Sequence, residues 1–317
     1  MASTNASGTT AVHYGTMREN VRSLEIVLAN GEVIRTGSLT VKSSSGYNLT
    51  QLFVGSEGTL GIFTEVTLRL FGIPETTAAA RAEFPDIQSC VNASTALIGA
   101  GVPVARVELV DGPFIEAVNA FKRTNYNTVP TLFLEFRGNF DSVQSDVRLA
   151  QEIAVEEGCV DFQFVSDERE RNQLWDARHS AAYAFTHQHV GYGHMATDVC
   201  VPISKLPESV TRAKRLIEEL DIIGCVIGHV GDGNFHVSVA VNPNDPDSVS
   251  RAHQFNEQLV YHALSLGGTC TGEHGVGLGK RKYQEKEHGP AIEVMRAIKM
   301  ALDPKHILNP GKLIDAD

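Results

Sequence analysis

The stretch CVIGHVGDGNFHVSVAV, residues 225–241, decides how this chain folds around its chemistry. Strand-forming residues, Cys225-Val226-Ile227 before and Val237-Ser238-Val239-Ala240-Val241 after, flank Gly231-Asp232-Gly233-Asn234, whose residue types tolerate the positive φ of a tight turn. The segment therefore reads as a β-hairpin. A turn over Gly231 to Asn234 sets Val230 opposite Phe235 and His229 opposite His236, and directly opposed residues hold their Cβ atoms about 5 Å apart. Two imidazoles so placed can share one ion.

A divalent first-row metal with catalytic work usually takes three protein ligands, and two histidines with a glutamate form a recurrent set. Glu273, in Gly272-Glu273-His274-Gly275, is the candidate third ligand, giving His229, His236 and Glu273 around zinc or manganese. His274 cannot easily point at the same ion as its neighbour, but it stays close enough to act as a base on whatever the ion binds. The glycines on either side let backbone and substrate approach closely. The alternative is a satisfied cross-strand histidine pair beside an ordinary tight turn. The His-Glu-x-x-His signature of zinc proteases is absent.

Around this centre, composition sets bounds. A length of 317 residues suggests two domains, and a 42% hydrophobic fraction suits a globular protein. No apolar run approaches the roughly 18 to 20 residues that cross a bilayer, so no transmembrane segment is expected. Five cysteines without a Cys-x-x-Cys spacing argue against a disulfide framework and for free thiols. The net charge of −11 disfavours a nucleic-acid partner and suits a small-molecule enzyme or one that meets a basic protein.

The N-terminus shows neither an apolar signal core nor an Arg-rich amphipathic presequence. Residues 4–10 read as loop, followed by a strand from Leu24 to Ala29, an Asn30-Gly31 hairpin turn and a strand from Val33 to Thr36. Gly55-Ser56-Glu57-Gly58-Thr59-Leu60-Gly61 is a glycine-punctuated loop leading into the alternating strand Val66 to Leu70. Such a loop is either a plain turn or a place where bare backbone N–H groups meet a phosphate or ring system. It is not Gly-x-Gly-x-x-Gly, so it does not indicate a Rossmann site. Gly72-Ile73-Pro74 marks a domain boundary. Beyond it come helices near Ile87–Ile98, Phe114–Arg123 and Val143–Glu157, with strands near Ala105–Leu109 and Thr131–Phe136 between them. The class is α+β, with helices packed on an antiparallel sheet.

Asp167 is a plausible N-cap, with Glu170 completing a capping box, for a helix carrying Leu174-Trp175-Asp176-Ala177-Arg178. Trp175 and Arg178 sit three apart and share a face. An Arg beside an aromatic is suited to grip a carboxylate with its planar fork, although an ordinary amphipathic helix with a surface Arg would show the same pattern. His187, His189 and His194 lack a ligand-like carboxylate and read as structural.

These motifs together carry a resemblance. Thr4-Asn5-Ala6-Ser7-Gly8 with Tyr14-Gly15, Gly55 to Ile62, Leu174-Trp175-x-x-Arg178, the segment 229–236, Gly272 to Gly275 and Leu308-Asn309-Pro310-Gly311-Lys312 occur in this order. The set resembles the FAD-linked 2-hydroxy-acid dehydrogenases of the vanillyl-alcohol-oxidase type, and within them the cytochrome-dependent D-lactate subfamily. The resemblance covers essentially the whole chain. It implies that residues 1–72 are the C-terminal half of an FAD-binding domain, and that 73–317 form a substrate (cap) domain whose tail, 303–317, returns to the flavin. It also implies that Asn5, Ser7, Gly8, Gly58, Ile62 and Asn309 lie near FAD. Family members carry a further stretch before Thr4, including a loop that holds the FAD pyrophosphate. The chain therefore resembles a fragment.

The same resemblance implies the chemistry. Arg178 would pair with the carboxylate of a small D-2-hydroxy acid, the ion would acidify its hydroxyl, and His274 would take the proton as hydride passes to FAD. Electrons would pass on to cytochrome c, in a mitochondrial setting. Relatives that act on 2-hydroxyglutarate carry a Lys shortly before an Asp-x-x-x-Pro segment. Here that stretch reads Met195-Ala196-Thr197-Asp198-Val199-Cys200-Val201-Pro202, which favours D-lactate over the dicarboxylate. The alternatives are a 2-hydroxyglutarate or glycolate dehydrogenase of the same family, a metal-dependent hydrolase using the same ligands, and a silent fragment unable to hold FAD.

Overall fold

The computed structural model describes residues 1–315, arranged as two compact units: residues 1–72 with 270–315, and residues 73–269. The division at Gly72/Ile73 falls at the Gly-Ile-Pro break. The chain returns to the first unit at Cys270, so Glu273 and His274 lie in that unit. Residues 316 and 317 of the expected returning tail lie outside the described residues.

In the first unit, β1 (Val21–Val27) lies between β2 (Val33–Gly37) and β3 (Ile62–Leu68), all antiparallel. Gly31, at φ +84°, makes the β1–β2 turn that Asn30-Gly31 predicts. Leu24 and Ile26 of β1 pack with Phe53, Val54 and Leu60, and with Ile298 and Leu302 from the helix Ala291–Leu302. That helix contributes a buried cation. Lys299 Nζ donates to the carbonyls of Thr59 and Leu308, each at 2.8 Å, and to Asp303 Oδ2 at 2.5 Å. Asp303 in turn accepts the amides of Ile307 and Leu308, which fixes the turn leading into Asn309.

The second unit is one antiparallel sheet in the order β7-β4-β6-β5-β10-β11-β8, with β9 pairing β11. Its strands are β4 (Thr76–Glu83), β5 (Val104–Val110), β6 (Thr131–Gly138), β7 (Asp161–Val165), β8 (Gly193–Ala196), β9 (Val199–Cys200), β10 (Ile223–His229) and β11 (Asn234–Val241). Helices Gly112–Lys122 and Glu168–Gln188 pack over Ala79, Val110, Phe133, Cys225, Ile227 and Ala240. Alternate residues Ala78, Ala80, Ala82, Leu132, Leu134 and Phe136 are buried as well, so this part of the sheet is covered on both faces. Asp167 caps its helix through a side-chain oxygen as expected, and Asp86 and Asn139 cap theirs in the same way.

The hairpin register differs from expectation. The turn comprises Val230 to Gly233, so His229 pairs with Asn234 and His236 with Ile227. Asn234 is a strand residue because its side chain is held inside the fold, donating to Asp198 Oδ1 at 2.9 Å and to the carbonyl of Val199 at 2.8 Å. Gly233 (φ +85°) is clamped by β9's neighbour, its carbonyl accepting Val201 N at 3.0 Å. Moving the pairing by two positions preserves the face of every side chain. His229 and His236 therefore remain on one face, as diagonal rather than direct neighbours.

Candidate active site

In the cap unit, the sheet brings His229 and His236 together with ring centroids 5.4 Å apart. Each ring has an oxygen on Nδ1. His229 Nδ1 lies 2.8 and 3.0 Å from the two carboxylate oxygens of Glu108, and His236 Nδ1 donates to the carbonyl of Thr197 at 3.0 Å. A carbonyl can only accept, so in neutral His236 the proton sits on Nδ1 and Nε2 carries the lone pair. Metal-ligating histidines are oriented in this way by an oxygen on the other ring nitrogen. The geometry fits the donor chemistry expected of a metal-ligating pair.

Glu108 is the residue that sequence reasoning missed. It is fully buried on β5, and its Oε2 also accepts Arg178 Nη2 at 2.5 Å. One carboxylate thus holds both the candidate substrate-binding guanidinium and a candidate metal ligand. Its sequence signal was a carboxylate two positions after Arg106 in the mostly apolar strand Val104–Val110. Arg178 is not a surface residue: it is 8% exposed, and its Nε is buried without a hydrogen-bond acceptor. A buried, unsatisfied donor next to an anchored charge is what a carboxylate ligand would complete. Trp175 pairs with a different cation, since Arg106 stacks over it at 4.6 Å from the ring centre.

The first unit holds the remaining candidates. Glu273 is mostly buried, with Ser7 Oγ donating to its Oε2 at 3.5 Å and His274 Nε2 lying 3.9 Å from its Oε1; His274 is about half exposed. The glycine-punctuated loop anchors this segment instead of offering a row of bare amides. Glu57 Oε1 and Oε2 accept the amides of Val276 and Gly277 at 2.6 and 2.8 Å, while Gly55 N and Glu57 N donate to the carbonyls of Ala2 and Ser3. Glu57 therefore fixes the turn just after His274.

For the expected flavin contacts, Gly58, Ile62 and Asn309 line one open cleft of about 350 Å³, while Ser7 and Gly8 line another of about 430 Å³. Asn309 donates through Nδ2 to the carbonyl of Glu57 at 2.6 Å and lies so close to Gly58 that a Cβ there would come within 2.7 Å of it. Ile62 is more than half exposed, leaving an apolar surface in the same cleft as Gly58 that suits an aromatic ring system. Asn5 is different: its side chain accepts from Thr16 Oγ1 and Arg18 N, organising its own loop. All five cysteines are unpaired, and burial pushes the Cys200 and Cys270 thiols up to about 12. Neither is poised as a nucleophile.

Comparison with known proteins gives the family. Residues 73–313 match the family model described as FAD linked oxidases, C-terminal domain, and residues 1–37 match that of an FAD binding domain. The chain is 50% identical, over 99% of its length, to a protein of Danio rerio named probable D-lactate dehydrogenase, mitochondrial, and covers 64% of it. It is 44% identical to the mitochondrial D-lactate dehydrogenase (cytochrome) of Arabidopsis thaliana, again over 99% of its length, and covers 56% of that protein. The chain thus spans between about half and two thirds of the length of these relatives. Among solved structures, p-cresol methylhydroxylase superposes with a TM-score of 0.74 at 19% identity, covering 98% of this chain and 67% of that one. That similarity concerns the fold alone.

Proposed function

Since the chain belongs to the FAD-linked oxidase family, we propose that it oxidises D-lactate, or a similar small D-2-hydroxy acid, to the 2-oxo acid, with cytochrome c as the onward electron acceptor in mitochondria. The observation that carries this reading is the Glu108 bridge, which fixes a buried, incompletely satisfied Arg178 beside His229. Arg178 binds the substrate carboxylate through its fork, and that grip orients the C2 hydroxyl. His229, His236 and Glu273 would hold a zinc or manganese ion, which when bound lowers the pKa of a neighbouring alcohol. His274 takes the hydroxyl proton on its imidazole. Gly58, Ile62 and Asn309, with Ser7 and Gly8, would hold FAD, which supplies the acceptor for the C2 hydride. The described strand β8, Gly193-His194-Met195-Ala196, offers no Lys or Arg to a distal carboxylate, which favours a monocarboxylate.

An absorbance spectrum of the purified chain with added FAD, before and after anaerobic D-lactate, tests the proposal. Bleaching of a bound flavin band is expected. A flavin that binds but stays oxidised, or faster turnover on D-2-hydroxyglutarate than on D-lactate, would refute the substrate. The roles of the two histidines separate as well: His274→Ala should retain the ion and lose flavin reduction, whereas His236→Ala should lose both. Equal ion content in the two variants would refute that division.

A further inference from the structure

We infer that Glu108 is a positioning residue that sets the tautomer of His229 and holds it in register with Arg178. This inference rests on the proposed ion site.

Glu108 is fully buried, and both of its carboxylate oxygens are engaged by His229 and Arg178. Its oxygens are divided between two functional groups: Arg178 Nη2 at 2.5 Å, and His229 Nδ1 at 2.8 and 3.0 Å. A carboxylate beside Nδ1 holds the proton there and turns Nε2 outward as the donor atom. The Arg178 guanidinium compensates the carboxylate charge, without which a buried anion would be costly. Two functions are thereby tied through one pair of oxygens on a rigid strand. Neither can shift without the other, and the spacing between carboxylate grip and ion ligand is fixed by the bridge.

The test uses the full chain, Glu108→Gln, Glu108→Asp and the charge-balanced double variant Glu108→Gln/Arg178→Met, with His229→Ala as reference. Two readouts require no flavin. Zinc affinity is measured by competition with a chromophoric chelator, and the His229 tautomer by ¹⁵N NMR of the metal-free, histidine-labelled chain. Glu108→Gln should weaken zinc binding by about 10- to 100-fold and move His229 away from the Nδ1–H form. Glu108→Asp should recover part of both. The double variant restores charge balance, and so folding, yet should still bind zinc weakly, because His229 still lacks its carboxylate. Wild-type zinc affinity in the double variant, or an unchanged tautomer in Glu108→Gln, overturns the positioning role. Zinc uptake that is the same in the wild type and His229→Ala overturns the ion-site reading itself, and the tautomer measurement still decides the role of Glu108.

Discussion

Replacing Gly233 with Ala should damage the cap unit far more than its size suggests. Gly233 adopts φ +85°, which costs a non-glycine residue about 1 to 2 kcal/mol. A Cβ there would also stand 2.1 Å from the carbonyl oxygen of Val201, the residue whose amide Gly233 binds, so backbone must move. Relieving such overpacking adds about 1 to 3 kcal/mol. Together these give about 2 to 5 kcal/mol, which for a unit of this size lowers the melting temperature by about 4 to 20 °C. Gly267 supplies the control: it has φ +78° in the same unit, but a Cβ there would meet nothing within 4 Å. Gly267→Ala should cost only the backbone term, about 2 to 8 °C. Thermal melts by circular dichroism, with zinc titrations of both variants, provide the comparison. Because the turn sets where His229 and Asn234 lie, Gly233→Ala should also weaken zinc binding, and Gly267→Ala should not. A Gly233→Ala melt no lower than that of Gly267→Ala would refute the argument that the Val201 contact fixes the hairpin.

Two further perturbations address each unit in turn. Lys299→Met removes the cation that joins Thr59, Leu308 and Asp303 and leaves a buried carboxylate unpaired, so the first unit should lose about 3 to 5 kcal/mol in urea unfolding; a loss below about 1 kcal/mol would show that the ion pair is dispensable. In the cap unit, burial holds the His179, His194 and His262 imidazoles below their ordinary range, with the neighbouring Arg178 and Arg106 adding to the effect at His179. The unfolded chain then binds protons more readily, so stability is fully present above about pH 6.5 and falls as pH drops through that value. Urea midpoints that stay flat between pH 7.5 and 5.5 would contradict this.

What the sequence made legible follows from the strength of local signals. Asp167 declares a helix start because a short side-chain oxygen before an apolar repeat has few other uses, whereas the helix capped by Asn139 begins at Phe140, ahead of the expected Val143. The Asn30-Gly31 turn and the paired histidines were equally readable. Strand β4 was not: Ala78 to Ala82 is buried on both faces of a covered sheet, and a run rich in alanine carries neither alternation nor β-propensity. The hairpin register was misplaced because Gly231 to Asn234 has turn chemistry throughout. Only the tertiary contacts of Asn234 with Asp198 and Val199 show that it belongs to the strand.

The least legible residues share one property. Glu57, Glu108 and Asp303 are carboxylates, which sequence reasoning assigns to solvent by default. Each instead holds in place a segment next to a proposed site residue or such residues themselves: Glu57 the amides of Val276 and Gly277 just past His274, Glu108 the side chains of His229 and Arg178, and Asp303 the amides leading into Asn309. The motifs recognisable in the sequence are the groups proposed to meet ion, substrate and flavin. Glu108 belongs to no motif, because its partners lie far away in sequence: 70 positions to Arg178 and 121 to His229. An unpaired buried carboxylate is too costly to persist. In a chain of net charge −11, a fully buried acid is therefore itself a pointer to a second partner worth finding, and at Glu108 that pointer leads to the proposed active site.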